Sequence, residues 1–352
     1  MIEELLKDSV KSLTPYKPKN LVAKAKLDAN ENNHVALKLN EKILESFKNL
    51  KINQYPDSDS TIIREMLARD FGFSVDEIIL GCGSDQLITL IINAFVDKGD
   101  KILIHTPTFD MYRITNQVAG GITIEVPLGE NFEFNCKEFI RVMISERPKV
   151  VFLTNPNNPT GGVIPKDEII QVIENCPGIV AIDEAYMEFY KDSAIDLVRK
   201  YNNVVVLRTL SKAFGLAGAR VGYSIASEEL TEAINRVKPP YNVSSVDQLV
   251  ARVCLENKGW IMEVIDEIIS ERERVKERLT ALSDIKIFNS EANFILFSIR
   301  NAKEIYEYLL NKGVLIRYFG EKGPLTGCLR VSIGTREENN LFLELLEGYV
   351  QL

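Results

Sequence analysis

Short apolar runs alternate with amphipathic segments between residues 75 and 225. Most of these runs are nearly continuous, which is typical of strands that are buried on both faces of a mostly parallel sheet. The predicted strands are Ile78–Leu80, Lys101–His105, Ile122–Val126, Val150–Thr154, Ile179–Ile182, Val204–Arg208 and Val221–Ala226. The predicted helices between them are 84–97, 110–119, 135–146 and 166–175. The alternation predicts an α/β fold with a mostly parallel seven-stranded sheet flanked by helices.

The pattern changes beyond residue 245. A helical pattern runs from about Val246 to Leu282, and the charged run Glu271–Arg278 within it predicts a solvated helix face. The segments that follow are strand-like Asn293–Ile299, helical Ala302–Lys312, strand-like Val314–Arg317 and Leu329–Ile333, and a terminal helix from Arg336. This mixture predicts a smaller α+β domain. We expect an N-terminal arm over residues 1–30, a large domain over 31–275 and a small C-terminal domain over 276–352.

Composition narrows the functional classes. The 352 residues are 45% hydrophobic and 26% charged, which is ordinary for a globular protein, and the formal charge of −8 argues against nucleic-acid binding. The five cysteines are scattered and His34 and His105 lie far apart, so no disulfide framework or histidine metal site is predicted. The first residues lack an apolar signal core, and the apolar stretch Leu87–Val96 is too short to cross a bilayer. We expect a cytoplasmic protein that binds no membrane and no metal.

A glycine-rich turn, Gly81–Gln86, follows the first predicted strand and opens a helix. The free N–H groups of a helix N-terminus favour an anion, so a phosphate can bind there. A tight turn capped by Ser84 is the alternative interpretation. A dinucleotide fingerprint is disfavoured because it needs a glycine at position 86 and an acid where His105 ends the next strand.

Two further loops follow neighbouring strands. Asn155–Gly162 is dense in Asn, Pro and Gly, which indicates an ordered turn at the strand ends where open α/β sheets bind ligands. In the next loop Asp183 ends an apolar strand and Tyr186 follows three residues later. A carboxylate in so buried a position needs a cationic partner, since otherwise its pKa rises and the group becomes neutral.

The loop after the strand 204–208 gathers Thr209, Ser211, Lys212 and Arg220 among glycines and apolar residues. Hydroxyl groups and a guanidinium are natural partners of a phosphate. A lysine shielded from water among other cations is a competent amine nucleophile. The sequence therefore predicts a phosphate-bearing ligand beside a reactive amine.

The motifs of these loops resemble those of the fold-type I pyridoxal-phosphate aminotransferases, and within them the histidinol-phosphate aminotransferase family. The motifs of the wider group are N-P-T-G at Asn158–Gly161, D-E-A-Y at Asp183–Tyr186 and S-K-A-F-G-L-A-G-x-R at Ser211–Arg220. The motifs of the narrower family are L-T-P-Y at Leu13–Tyr16, L-D-A-N-E-N at Leu27–Asn32, Q-Y-P at Gln54–Pro56 and C-L-R-V-S-I-G-T-R-E-E at Cys328–Glu338. The resemblance runs nearly from end to end of the chain.

The resemblance implies pyridoxal 5'-phosphate as the cofactor of the large domain. Lys212 would bind it covalently through its amine and move a proton, and Asp183 would pair with the pyridine nitrogen. Asn158 and Tyr186 would hydrogen-bond its phenolic oxygen, and Phe109 would stack on its ring. The groups implied around its phosphate are Ser84, Asp85, Thr209, Ser211, Arg220 and Tyr55 of a partner subunit. The implied catalytic residues are Lys212, Asp183 and Tyr186, and the contact of Tyr55 implies a homodimer in which the arm packs with the small domain and the partner.

The same resemblance implies the substrates. The implied substrate-binding residues are Tyr16, Asn30, Arg317 and Arg330. The guanidinium of Arg330 would take the substrate phosphate in one half-reaction and the glutamate carboxylate in the other, because a bidentate donor serves both anions. The implied reaction is ping-pong amino transfer from L-histidinol phosphate to 2-oxoglutarate. An aromatic amino-acid aminotransferase, a threonine-phosphate decarboxylase and a cofactor-binding regulator remain as alternatives.

Overall fold

The computed structural model describes residues 2–15 and 22–350. The helices are α1 Ile2–Leu5, α2 Asp8–Lys11, α3 Ala36–Phe47, α4 Thr61–Phe71, α5 Gly83–Phe95, α6 Met111–Ala119, α7 Cys136–Glu146, α8 Lys166–Asn175, α9 Met187–Tyr190, α10 Glu228–Asn235, α11 Ser245–Glu256, α12 Lys258–Thr280, α13 Ala302–Asn311 and α14 Arg336–Val350. The strands are β1 Ala25–Lys26, β2 Ile78–Cys82, β3 Lys101–Thr106, β4 Ile122–Pro127, β5 Val150–Thr154, β6 Ile179–Asp183, β7 Val204–Thr209, β8 Val221–Ala226, β9 Ile285–Ile287, β10 Phe294–Ile299, β11 Val314–Leu315, β12 Arg317–Tyr318 and β13 Cys328–Ser332.

The predicted seven strands form one sheet in the order β2-β8-β7-β6-β5-β3-β4. Strand β8 is antiparallel to both neighbours, and the other pairs are parallel. Every residue of β5, β7 and β8 is buried, as their continuous apolar runs predict for strands covered on both faces. The mostly parallel α/β fold is therefore confirmed.

The sheet register brings chemically important strand ends together. Thr154 pairs with Asp183, and these residues end the parallel neighbours β5 and β6. Thr209 ends the adjacent strand β7, where it pairs with Gly222 of β8. A side chain at Gly222 would collide with the backbone of Gly83 at the start of α5. This glycine therefore lets the first turn of α5 lie directly against the sheet, next to the same strand ends.

The C-terminal part has its own sheet. Strands β12, β13, β10 and β9 are antiparallel in that order, and β1 pairs in parallel with β11. The single strand predicted over Val314–Arg317 is wrong, because Ile316 separates two short strands that belong to different sheets. The α+β character of this part is confirmed, and the domain boundaries at residues 30 and 275 stay predictions.

The long helix predicted from Val246 to Leu282 is also wrong, because it is divided into α11 and α12 at Asn257. The Asn257 side chain donates to the Val253 carbonyl at 2.7 Å, and its backbone leaves helical geometry at φ −111° and ψ 18°. Such a side-chain bond competes with continuation of the helix.

The solvated face predicted for Glu271–Arg278 is wrong at Arg272, which is 4% exposed. Its guanidinium donates to the Glu291 carboxylate at 3.0 Å and to the Ala292 carbonyl at 3.2 Å. The charge of Arg272 therefore ties α12 to the segment before β10. No helix in the described part of the chain is long and apolar enough to cross a membrane.

Candidate active site

A cavity of about 140 Å³ lies at the strand ends of the large sheet, and we call it the sheet-edge cavity. Its lining residues are Ser84, Asp85, Phe109, Thr154, Asn158, Asp183, Ala185, Tyr186, Thr209, Ser211, Lys212, Ala217 and Arg220. All of the predicted cofactor residues except Tyr55 are among them. A larger cleft of about 310 Å³ lies between α4, α10 and β2, and none of the predicted site residues lines it.

Asp183 lies at the end of β6, where it is 3% exposed. The Tyr112 hydroxyl donates to its Oδ2 at 2.6 Å, and the backbone N–H of Ala185 donates to its Oδ1 at 3.0 Å. Burial raises the pKa of Asp183 to about 6, against the opposing effect of these hydrogen bonds. The described residues include no ion-pair partner for this carboxylate, so it fits a cationic group bound in the sheet-edge cavity.

Tyr112 is a residue of this site that the sequence analysis missed. It is fully buried on α6, and burial followed by the charge of Asp183 raises its pKa well above 10, so it is a neutral donor. Its hydroxyl also lies 3.0 Å from the Thr154 hydroxyl at the end of β5. The available signal was its position three residues after Phe109, whose ring meets the Tyr112 ring edge-on at 5.8 Å.

Lys212 and Tyr186 face each other across the sheet-edge cavity. The Lys212 Nζ lies 5.9 Å from the centroid of the Tyr186 ring and donates to the Ala29 carbonyl at 2.9 Å. The Tyr186 hydroxyl accepts a hydrogen bond from the Asn30 side chain at 2.9 Å. The segment 28–30 therefore contacts two of the side chains that line the cavity.

Asn158 is held by a loop that folds onto itself. The neighbouring Asn157 donates to the Thr160 hydroxyl at 2.8 Å and to the Pro107 carbonyl at 3.0 Å, and it accepts from the Thr108 hydroxyl at 2.8 Å. These bonds join the loop after β5 to the loop after β3. The density of Asn, Pro and Gly thus produces the ordered turn that the sequence predicts.

The first turn of α5 lines one part of the sheet-edge cavity through Ser84 and Asp85. The helix begins at Gly83, and no side chain of a described residue caps it, so the alternative of a turn capped by Ser84 is wrong. Gly83 has φ +72°, and a Cβ there would collide with the Arg220 guanidinium. That guanidinium binds Asp85 at 2.9 Å and the Ser211 hydroxyl at 3.3 Å.

These groups fit pyridoxal 5'-phosphate by their chemistry. The Gly83 turn, the Thr209 and Ser211 hydroxyls and Arg220 suit a phosphate. Buried Asp183 suits the cationic nitrogen of a pyridine ring, and the Lys212 amine lines the same cavity. The residues present therefore match the two charges and the reactive aldehyde of this cofactor.

A second group of cations lies beside the cavity, and we call Arg317 and Arg330 the arginine pair. They occupy paired positions on β12 and β13, and both guanidinium groups lie 5.9 Å from the centroid of the Phe319 ring. Arg330 is 7% exposed, donates to the Asn158 side chain, and donates to the Asp28 carbonyl at 2.8 Å. The arginine pair suits a substrate anion.

Tyr55 and Asn30, like the arginine pair, do not line the cavity. Tyr55 is 81% exposed and stacks on Tyr241 with ring centroids 4.7 Å apart. Asn30 is buried behind Tyr186. Tyr16 lies outside the described residues.

Comparisons with known proteins agree with this geometry. The family model for aminotransferase class I and II matches residues 22–346. A histidinol-phosphate aminotransferase of Ruminiclostridium cellulolyticum is 43% identical, with 98% of each chain covered, and one of Clostridium novyi is 40% identical, with 99% of this chain and 98% of the relative covered.

Among solved structures, a histidinol-phosphate aminotransferase from Sinorhizobium meliloti in complex with pyridoxal 5'-phosphate has a TM-score of 0.90 and 25% identity. The match covers 98% of this chain and 97% of that chain. The cavity, the fold and the full-length relatives agree. The chain belongs to the class I and II aminotransferases, within the histidinol-phosphate aminotransferase family, and is a pyridoxal-phosphate-dependent enzyme.

Proposed function

We propose that this aminotransferase transfers the amino group of L-histidinol phosphate to 2-oxoglutarate, giving imidazole-acetol phosphate and L-glutamate, as a step of histidine biosynthesis. The observation that carries the proposal is the arginine pair beside the sheet-edge cavity, since two guanidinium groups suit a substrate that bears a phosphate. The names of the curated relatives support the same substrate.

The roles of the strand-end residues follow from their charges. When bound, pyridoxal phosphate supplies an electron sink for negative charge that develops at the substrate carbon. Asp183 would hold the ring nitrogen through its negative charge, which would favour protonation at that atom. Tyr112 donates to Asp183 and orients the carboxylate.

Lys212 acts at the substrate carbon. In one half-reaction its Nζ would receive the proton that leaves the substrate carbon, as a general base, and in the other half-reaction it would deliver a proton to the corresponding carbon of the second substrate, as a general acid. The Ala29 carbonyl accepts a hydrogen bond from the same amine, which holds Nζ at the mouth of the cavity.

Arg330 orients both substrates. Its planar guanidinium binds the phosphate of histidinol phosphate in one half-reaction and the α-carboxylate of glutamate in the other. Arg317 adds positive charge on the adjacent strand. One anion site that serves two substrates in turn requires ping-pong kinetics.

The proposal includes a cytoplasmic homodimer in which Tyr55 of the partner subunit reaches the phosphate end of the cavity. Support comes from the exposure of the Tyr55–Tyr241 stack, since such an apolar surface favours a protein contact. Mixing inactive Tyr55→Ala and Lys212→Ala proteins under subunit exchange should restore activity, because one site of each mixed dimer then has both native residues. A mixture that exchanges subunits and stays inactive contradicts the shared site.

A donor panel tests the substrate. The holoenzyme is supplied with 2-oxoglutarate and either L-histidinol phosphate, L-phenylalanine or O-phospho-L-threonine, and glutamate and carbon dioxide are measured. We expect the highest kcat/KM with histidinol phosphate and no carbon dioxide. A preference for phenylalanine, or carbon dioxide released from phosphothreonine, would replace the proposal with one of the two related activities.

A further inference from the structure

We propose that Asn30 is a positioning residue that directs the Tyr186 hydroxyl proton into the sheet-edge cavity, in place of the substrate-binding role predicted from the sequence. The inference rests on the proposed use of the cavity for pyridoxal phosphate, and it concerns this chain's own residues. Asn30 is 1% exposed and does not line the cavity, so its side chain is not available to a substrate.

Every polar atom of Asn30 has a partner. Its backbone N–H donates to the Ser332 Oγ at 2.8 Å, and its carbonyl accepts from the Asn293 side chain at 3.1 Å. Its Nδ2 donates to the Tyr186 hydroxyl at 2.9 Å, and its Oδ1 accepts from the Ser332 hydroxyl at 3.1 Å. The residue is therefore held on all sides by buried hydrogen bonds.

Ser332 determines which end of the Asn30 amide faces Tyr186. The Ser332 oxygen already accepts the Asn30 backbone N–H, so its hydroxyl proton needs an acceptor. In the described part of the chain that acceptor is the Asn30 Oδ1. With Oδ1 engaged, the Nδ2 group is the end that meets the Tyr186 hydroxyl.

The direction of this bond determines what Tyr186 can do. Its oxygen accepts from Asn30, and no described residue takes its proton. The Tyr186 ring is 3% exposed and meets the Phe294 ring edge-on at 5.2 Å, so the side chain is held firmly. The free proton thus lies on the cavity side, where Tyr186 acts as a donor to an oxygen anion of the bound group.

The backbone conformation of the segment 28–30 is compatible with this role of Asn30. Asn30 has φ +56°, a left-handed conformation that asparagine adopts more readily than most residues. The preceding carbonyls of Asp28 and Ala29 accept from Arg330 and Lys212. Three consecutive residues of the segment 28–30 thus contact three functional side chains, and Asn30 is the member that acts through Tyr186.

The test is a double-mutant cycle of Asn30→Gly and Tyr186→Phe, since glycine tolerates the positive φ. A hydrogen bond donated to an anionic oxygen of the bound cofactor stabilises the deprotonated form of the holoenzyme. Its loss therefore raises the pKa at which the absorbance of the holoenzyme changes with pH. We expect Asn30→Gly to raise that pKa by about 0.5 unit and to weaken cofactor binding to the apoprotein about threefold. In the Tyr186→Phe background Asn30→Gly should have no further effect on either quantity.

The matched control is Asn33→Ala, since Asn33 binds Glu338 and does not contact Tyr186. If Asn30→Gly fails to fold, as judged by circular dichroism, Ser332→Ala replaces it, with the same direction of shift expected. An equal shift in the Tyr186→Phe background overturns the proposal. So does an unchanged absorbance pKa with a raised KM for the amino donor, which would restore the substrate-binding role.

The donor panel runs in parallel on the native protein. A pKa shift with no turnover of histidinol phosphate refutes the proposed substrate and leaves the role of Asn30 standing. Turnover of histidinol phosphate without the shift refutes the role of Asn30 alone.

Discussion

Two groups of residues, one in the sheet-edge cavity and one beside it, are built in different ways. The strand-end wall consists of residues at or just after the ends of adjacent strands and of the donor to Asp183, namely Thr154, Asp183, Thr209, Lys212 and Tyr112. The positions at the strand ends follow from the register of the sheet. The arm wall consists of the segment 28–30 with Arg330, and its contacts join residues as far as 302 positions apart. In the proposed function, the strand-end wall supplies the groups for proton and charge chemistry, whereas the arm wall supplies the groups that orient side chains and substrates. Damage to the first should lower kcat, and damage to the second should mainly change binding.

The largest effect is expected from Lys212→Ala. Loss of both the covalent amine and the general base should lower kcat by more than about 10⁴-fold. Turnover and the mass of the chain after borohydride reduction with cofactor provide the measurements, with the exposed Lys200→Ala as control. If the Lys212→Ala chain still gains the mass of the cofactor after reduction, another lysine holds the cofactor.

Asp183→Asn should lower kcat about 10²- to 10³-fold with little change in KM, because it removes the charge beside the ring nitrogen. An unchanged kcat would exclude the electrostatic role of the strand-end wall.

The same variant should stabilise the cofactor-free protein at pH 8. Burial raises the pKa of Asp183 to about 6, so its contribution to stability is fully present below the unfolded pKa near 3.8 and is lost as the pH rises through about 6. The free energy of unfolding of the variant should exceed that of the native apoprotein by up to about 3 kcal/mol above pH 6. Denaturant titrations at pH 4 and pH 8 measure the difference, and a gap of equal size at both pH values would contradict the explanation.

Arg330→Lys tests the arm wall. A lysine keeps the charge but loses the planar double donor, so KM for histidinol phosphate and for glutamate should both rise about 10-fold with a smaller change in kcat. Arg278→Lys, at an arginine that pairs with Glu347 on the surface, is the control. If only the glutamate KM rises, the phosphate lies elsewhere.

Tyr112→Phe should have the smallest effect. Loss of the 2.6 Å bond raises the pKa of Asp183 further, so we expect kcat to fall about 3- to 10-fold and cofactor affinity to fall by a similar factor. Tyr201→Phe removes a hydroxyl that binds Glu174 at the surface, and it should leave both quantities unchanged. If kcat and cofactor affinity are the same in the two variants, Tyr112 has no role in the strand-end wall.

The two walls also differ in how far the sequence predicts them. Asp183 and Lys212 stand at or just after the ends of apolar runs, where parallel strands place ligand-binding groups, and the structure brings them to one cavity. Tyr112 was missed because an aromatic residue on a predicted helix is more often part of the core. No local pattern shows that Ser332 and Tyr186 occupy the polar atoms of Asn30, because these contacts join distant segments of the chain.

Contacts between distant segments also explain why the predicted helices and strands differ from those of the structure. Arg272 belongs to a charged run that is typical of a solvated helix face, and only the packing of α12 beside the segment before β10 buries it. Ile316 lies in a continuous apolar run, and only the pairing of its neighbours divides that run between two sheets.

The sequence by itself determined the order of strands and helices, the loops at the strand ends and the residues that carry charge there, because these depend on neighbours along the chain. Only the tertiary structure decided which way the Asn30 amide faces, where Tyr112 donates and how the arginine pair meets Phe319. The physical reason is that such contacts join distant segments, and their geometry depends on how the layers pack against one another.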